Sequence, residues 1–83
     1  MISSGQIRAA RALLKWSAKE LSLISGVGTA TIKRYETSNG IPNANVKTLG
    51  LIKATLENAG VEFIGAPEQD PGVRLLTNKP HVR

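Results

Sequence analysis

The chain has no cysteine, one histidine and only three aromatic residues, Trp16, Tyr35 and Phe63. Without cysteine there are no disulfides and no thiolate metal sites, and the composition fits a reducing interior. A lone His81 cannot build a metal site, so no metal or other cofactor is expected. No apolar run approaches the ~20 residues needed to span a bilayer. Arg8 and Arg11 interrupt the N-terminus before the apolar core of a signal peptide can form. The expectation is a cytoplasmic protein that does not engage membranes.

Acid is scarce in the first two thirds of the chain. Only Glu20 and Glu36 occur before residue 57, against Arg8, Arg11, Lys15, Lys19, Lys33, Arg34, Lys47 and Lys53. Glu57, Glu62, Glu68 and Asp70 follow, so the charge is segregated within a formal net of +5. A basic domain suggests a polyanionic partner, although solubility alone favours charge in small domains. At 83 residues there is room for one small core. Self-association is the natural route to further buried area when disulfides and metals are absent.

Helix signals are strong. Ser3 with Gln6 forms a capping-box pattern, and a helix is expected from Ser4 to Leu14 with Ile7, Ala10, Leu13 and Leu14 on one face. Ser17 with Glu20 is a second capping box. Trp16 and Leu21 add the spacing of a hydrophobic staple, so a helix starts at Ala18. Gly26 ends it by supplying the positive φ common just past a helix end. A third helix starts near Thr29 behind Gly28 and ends by Thr37, with Val27, Ile32 and Tyr35 facing inward. A fourth begins near Ala44 or Asn45 with Asn43 as cap, buries Val46, Leu49, Ile52 and Leu56, and ends at Gly60. Residues 61–64 and 73–76 read as strands around a turn-rich loop, and 77–83 as a flexible polar tail. The expected organisation is a helical domain over 1–60, a strand pair over 61–76 and the tail.

Residues 17–36 carry the functional signal. Two short helices meet at Gly26, Ser22 is small enough for their close approach, and the second helix ends in Lys33 and Arg34. That layout is a helix-turn-helix, whose second helix is shaped for the DNA major groove. Its inward stripe leaves Thr29, Ala30, Lys33 and Arg34 outside. Thr29 can hydrogen-bond a base or offer a methyl to thymine, Ala30 can touch a thymine methyl, and Arg34 can bind guanine through two parallel bonds. Lys33 suits a phosphate, and Lys19 and Gly28 stand beside helix starts where phosphates bind. The alternative is an ordinary helical hairpin with a solvated basic face, and the agreement of cap, staple, glycine and stripe weighs against it.

With these residues in view, "RAARALLKWSAKEL", "SGVGTATIKRYE" and "VKTLGLIKATLENAG" resemble the lambda-repressor-like (Cro/cI, XRE) DNA-binding family, from Ile7 to about Leu56. The resemblance implies a mainly α, four-helix domain, here followed by a short C-terminal β-strand pair. It implies base contacts at Thr29, Ala30 and Arg34, and a structural ion pair between Arg11 and Glu36. Ala18 departs from the glutamine usual at the start of helix two, so phosphate binding there falls to backbone or Lys19. Gly28 departs from the usual serine or threonine cap. No fifth helix follows Gly60. The strand pair takes that place, and Val61, Phe63, Ile64, Val73, Leu75 and Leu76 are expected at a dimer interface.

No spacing of Ser, His81 and Asp70 suggests a triad, and Glu57 and Glu62 straddle a helix end, so no enzymatic activity is expected. The leading expectation is a homodimeric transcriptional regulator on near-palindromic double-stranded DNA. The alternative is an antitoxin or adaptor of the same fold, whose strands bind a toxin or another regulator.

Overall fold

A computed structural model describes residues 1–77. His81 and the tail beyond residue 77 lie outside the described residues. Four helices, α1 (Ser4–Leu14), α2 (Ala18–Ser25), α3 (Thr29–Thr37) and α4 (Val46–Asn58), precede β1 (Val61–Ala66) and β2 (Gln69–Leu75).

The helix starts follow local chemistry. Ser3 and Ser17 each accept from the amide three residues on, and Gln6 and Glu20 reciprocate to the cap amides. α1 ends on Lys15, which adopts φ 58 and lets its own amide and that of Trp16 bond back to Ala12 and Arg11. Gly26, at φ 80, closes α2 with its amide 2.9 Å from the Ser22 carbonyl. α4 is capped by Asn45, whose side-chain oxygen accepts from Lys47 and Thr48. The sequence expectation of Asn43 as cap is corrected: two asparagines stand two residues apart, and the second lies where the chain turns helical.

Ile7, Ala10, Leu21, Val27, Ile32, Tyr35, Leu49, Ile52, Leu56 and Val61 form the core, with Ile2 closing one end. Two expected core positions lie outside it. Leu13 is exposed, as is Val46 in the first turn of α4. Each has helical spacing, but no neighbouring element covers that flank.

The strands pair antiparallel, Val61 with Leu75 and Phe63 with Val73. They extend further into the turn-rich segment than the sequence suggests. An irregular register between Ile64 and Ala66, with positive φ at Gly65 and Asp70, lets the strands reach Ala66 and Gln69. Leu76 lies beyond β2, though its amide bonds to the Gly60 carbonyl at 2.8 Å.

β2 lies along α1 and β1 against α4. One face of the hairpin is thereby absorbed: Val61 is in the core, and Phe63, Val73 and Leu75 pack on it half-buried. Of the six residues expected at a dimer interface, these four pack on their own protomer, while Ile64 is exposed and Leu76 half-buried. Glu62, Ile64 and Arg74 occupy the alternate strand positions, with Arg74 and Glu62 ion-paired across the strands. Gln6 secures the hairpin to α1. Its Nε2 donates to the carbonyls of Ile64 and Gly72 at 3.3 and 3.0 Å, while its Oε1 accepts from the Ser3 amide.

Candidate nucleic-acid interface

α3 is built to expose one side. Ile32, Tyr35 and Glu36 are buried, whereas Ala30, Lys33 and Arg34 are exposed and Thr29 is half-buried at the first turn. The tight turn of Gly26, Val27 and Gly28 aims the helix, with Val27 sunk in the core and its amide held by Ser25 Oγ at 3.1 Å. Gly28 caps α3 without any side-chain bond. The leading amides of α3 are thus left for water or an anion.

The far end of α3 is tied down. Three of its last carbonyls receive side-chain donors: Thr37 Oγ1 bonds to that of Arg34 at 3.0 Å, and the Ser4 and Ser38 hydroxyls bond to that of Tyr35 at 2.5 and 2.9 Å. Arg8 donates to the Glu36 carbonyl. Arg11 donates from Nε and Nη2 to the two Glu36 carboxylate oxygens at 2.7 Å each, and from Nη1 to the Trp16 carbonyl at 2.8 Å. The hydrogen bonds to Glu36 raise the Arg11 pKa above its ordinary value. Burial opposes this and Coulomb attraction adds to it. Ser4, Arg8 and Arg11, one face of α1 from its first turn to its last, therefore act as a splint for α3, leaving the outer face of α3 open and its orientation fixed.

The charges sort themselves around this face. Glu20 is engaged by the Ser17 amide, Glu36 by Arg11, Glu57 by Lys53 and Glu62 by Arg74. Among the described residues, Lys15, Lys19, Lys33, Arg34 and Lys47 have no ion-pair partner. The unpaired acids, Glu68 and Asp70, are at the exposed hairpin tip. An approaching polyanion thus meets uncompensated positive charge on the helical elements.

Thr29, Ala30, Lys33 and Arg34 share one α3 surface, and Gly28 stands at its start. Lys19 is exposed at the second position of α2. Arg34 rests with its guanidinium 5.5 Å from the centre of the Tyr35 ring, a cation–π contact that an exposed side chain can leave. The sequence reading overlooked a second feature. Arg34 and Thr31 line a groove of about 390 Å³ whose opposite wall is Asn45, Thr48 and Leu51 of α4. Lys47, exposed beside that wall, joins the free cations. Asn45 as cap followed by lysine at the second helical position was the available signal, and it repeats the Ser17 and Lys19 arrangement of α2.

The family model described as Helix-turn-helix matches residues 7–56, which span α1 to the last turns of α4. No curated protein matches the chain.

Proposed function

We propose a sequence-specific regulator of transcription on one premise: the chain belongs to the helix-turn-helix family of the Cro/cI type. DNA binding comes with that family. The finer reading is a homodimer whose two α3 helices enter successive major grooves, about 34 Å apart, on a near-palindromic operator. It acts in whichever compartment holds the DNA, the cytoplasm in the simplest case.

Thr29, Ala30 and Arg34 read base edges in this account. Lys33, Lys19, Lys47 and the amide beside Gly28 hold phosphates, which supply affinity and register but no sequence information. The observation that carries the reading is the contrast between the two sides of α3: one buried and tied to α1 by three side chains, Ser4, Arg8 and Arg11, the other bare, polar and cationic. A solvated structural helix has no need of such bracing. Selection of bound sites from random duplex at fixed salt tests it. A recovered near-palindrome supports the reading, and a pool that stays random refutes it.

A further inference from the structure

The groove between α3 and α4 is walled by donors that the protein itself leaves idle. Tyr35 is the informative residue. It is 3% exposed, with its side chain in the core. Among the described residues its carbonyl takes the Ser4 and Ser38 hydroxyls, but its own hydroxyl has no hydrogen bond. No fully buried polar side-chain atom lacks a partner, so the Tyr35 hydroxyl keeps a path to solvent, and the groove that Tyr35 lines provides it. Thr31 and Thr48 line opposite walls. Their hydroxyls are likewise unbonded among the described residues, unlike those of Thr37 and Thr55, which bond back to carbonyls of their own helices. Asn45 commits its Oδ1 to the amides of Lys47 and Thr48, so its Nδ2 donors remain. Arg34, without an ion-pair partner, completes the wall. None of the lining side chains is acidic.

Convergent free donors with no acid among them suit an anion. The groove's volume of about 390 Å³ is that of a small-molecule site. We propose that it binds a small phosphomonoester, with the Tyr35 hydroxyl at its floor. Such an ester brings three acceptor oxygens and close to two negative charges. A phosphate within a DNA strand has two free oxygens and a single charge, so the monoester engages more of Thr31, Arg34, Tyr35, Asn45 and Thr48. Leu51, 46% exposed, gives the organic part of the ester an apolar rim. The site rests on the groove alone and does not depend on base reading by α3. Where α3 does read bases, Arg34 belongs to both surfaces, so an occupied groove holds Arg34 back from DNA and the ligand weakens binding.

Titration of the full chain with phenyl phosphate at constant ionic strength, followed through backbone amide shifts, tests the site, with Tyr35→Phe and Thr48→Val as variants. Phenylalanine keeps the ring and removes only the unbonded hydroxyl, and valine matches threonine in size, so both variants should melt close to wild type. The expected result is saturable binding with the largest shifts at residues 28–35 and 45–51. Either substitution should weaken it about tenfold, the worth of one hydrogen bond to a charged group. Phenyl phosphate should also weaken wild-type binding to duplex DNA, while Tyr35→Phe binds the duplex as wild type does. Shifts scattered over the surface lysines, or variants that bind the ester as wild type does, would overturn the proposal. So would a Tyr35→Phe chain that loses duplex affinity while wild type ignores the ester, because the groove would then hold a phosphate of the DNA strand. Saturable binding by a chain that selects no DNA sequence would uphold the site and remove the reading above.

Discussion

Arg11 clasps both carboxylate oxygens of Glu36, each at 2.7 Å, across the gap between α1 and α3. The side chains are 22% and 8% exposed, so the pair is shielded but not sealed. Removing Arg11 leaves a carboxylate with little water and no partner, and also frees the Trp16 carbonyl. Arg11→Ala is expected to cost about 3 kcal/mol, the lower end for a buried pair. For a domain of this size that is a fall of roughly 12–24 °C in Tm. Arg11→Lys keeps the charge but not the two-pronged geometry, and should lose about half as much. Thermal melts of the two variants measure both. The raised Arg11 pKa contributes stability that is fully present below its unfolded value and is lost only as pH rises through the folded one. Titration of Arg11 should therefore leave Tm unchanged between pH 6 and about 10.

Gln6 offers a sharper test of how the hairpin is held. Its amide is the polar link from α1 to both strands, at Ile64 and Gly72, and its carbonyl completes the cap of α1. Gln6→Leu preserves size and removes all three bonds, leaving the Ser3 amide without a side-chain acceptor. A loss of about 1–3 kcal/mol is expected. Amide exchange should accelerate in residues 61–75 more than in α2 and α3. Uniform acceleration across the chain would mean that Gln6 serves the whole fold rather than the hairpin.

Much of this architecture is legible from neighbours in sequence. Ser3 with Gln6 and Ser17 with Glu20 announce helix starts because each cap bonds only three residues away. Gly26 announces a stop for the same local reason. What stays hidden depends on distant parts of the chain. Ser4 meeting Tyr35, or Gln6 meeting Gly72, has no signature in either segment. Leu13 and Val46 have core-like spacing, yet which flank of a helix is covered depends on where other elements land. The strand residues pose a related question. Val61 and Phe63 look too apolar for a free hairpin, and the sequence cannot say whether a second chain or the same chain hides them. The outer face of α3 was legible because the inward stripe fixes it by subtraction. The groove shared by Arg34 and Asn45 was not, since it needs the placement of α4.

Two glycines should respond in opposite directions. A Cβ on Gly65 would clash with the Asp70 carbonyl oxygen, and φ there is +73. Gly65→Ala is expected to cost about 2 kcal/mol or more through backbone strain at the hairpin end. Gly28 has φ −59 and open space around a Cβ. Gly28→Ser supplies α3 with the side-chain cap it lacks and should stabilise by a few tenths of a kcal/mol. Paired urea denaturation curves distinguish the two, and a destabilised Gly28→Ser would mean that the α3 start is more confined than its surroundings indicate.

Arg34 and Lys33 are sequence neighbours on the same exposed turn, yet they should fail differently. Arg34 faces the groove shared with α4, and its planar guanidinium can engage two acceptors on one guanine. Arg34→Ala is expected to cost about 1–3 kcal/mol on the preferred site and to relax preference at one base pair per half-site. Lys33 carries a point charge suited to a phosphate, so Lys33→Ala should weaken all sequences alike and reduce the slope of log K against log salt by about 1. Neither side chain is buried, and Arg34→Ala loses only an exposed contact with the Tyr35 ring, so the melts should match wild type to within about 1 kcal/mol. Binding to the selected site and to a scrambled duplex at several salt concentrations separates the two roles. Equal losses on both duplexes for Arg34→Ala would remove it from base reading and leave it as one more phosphate contact.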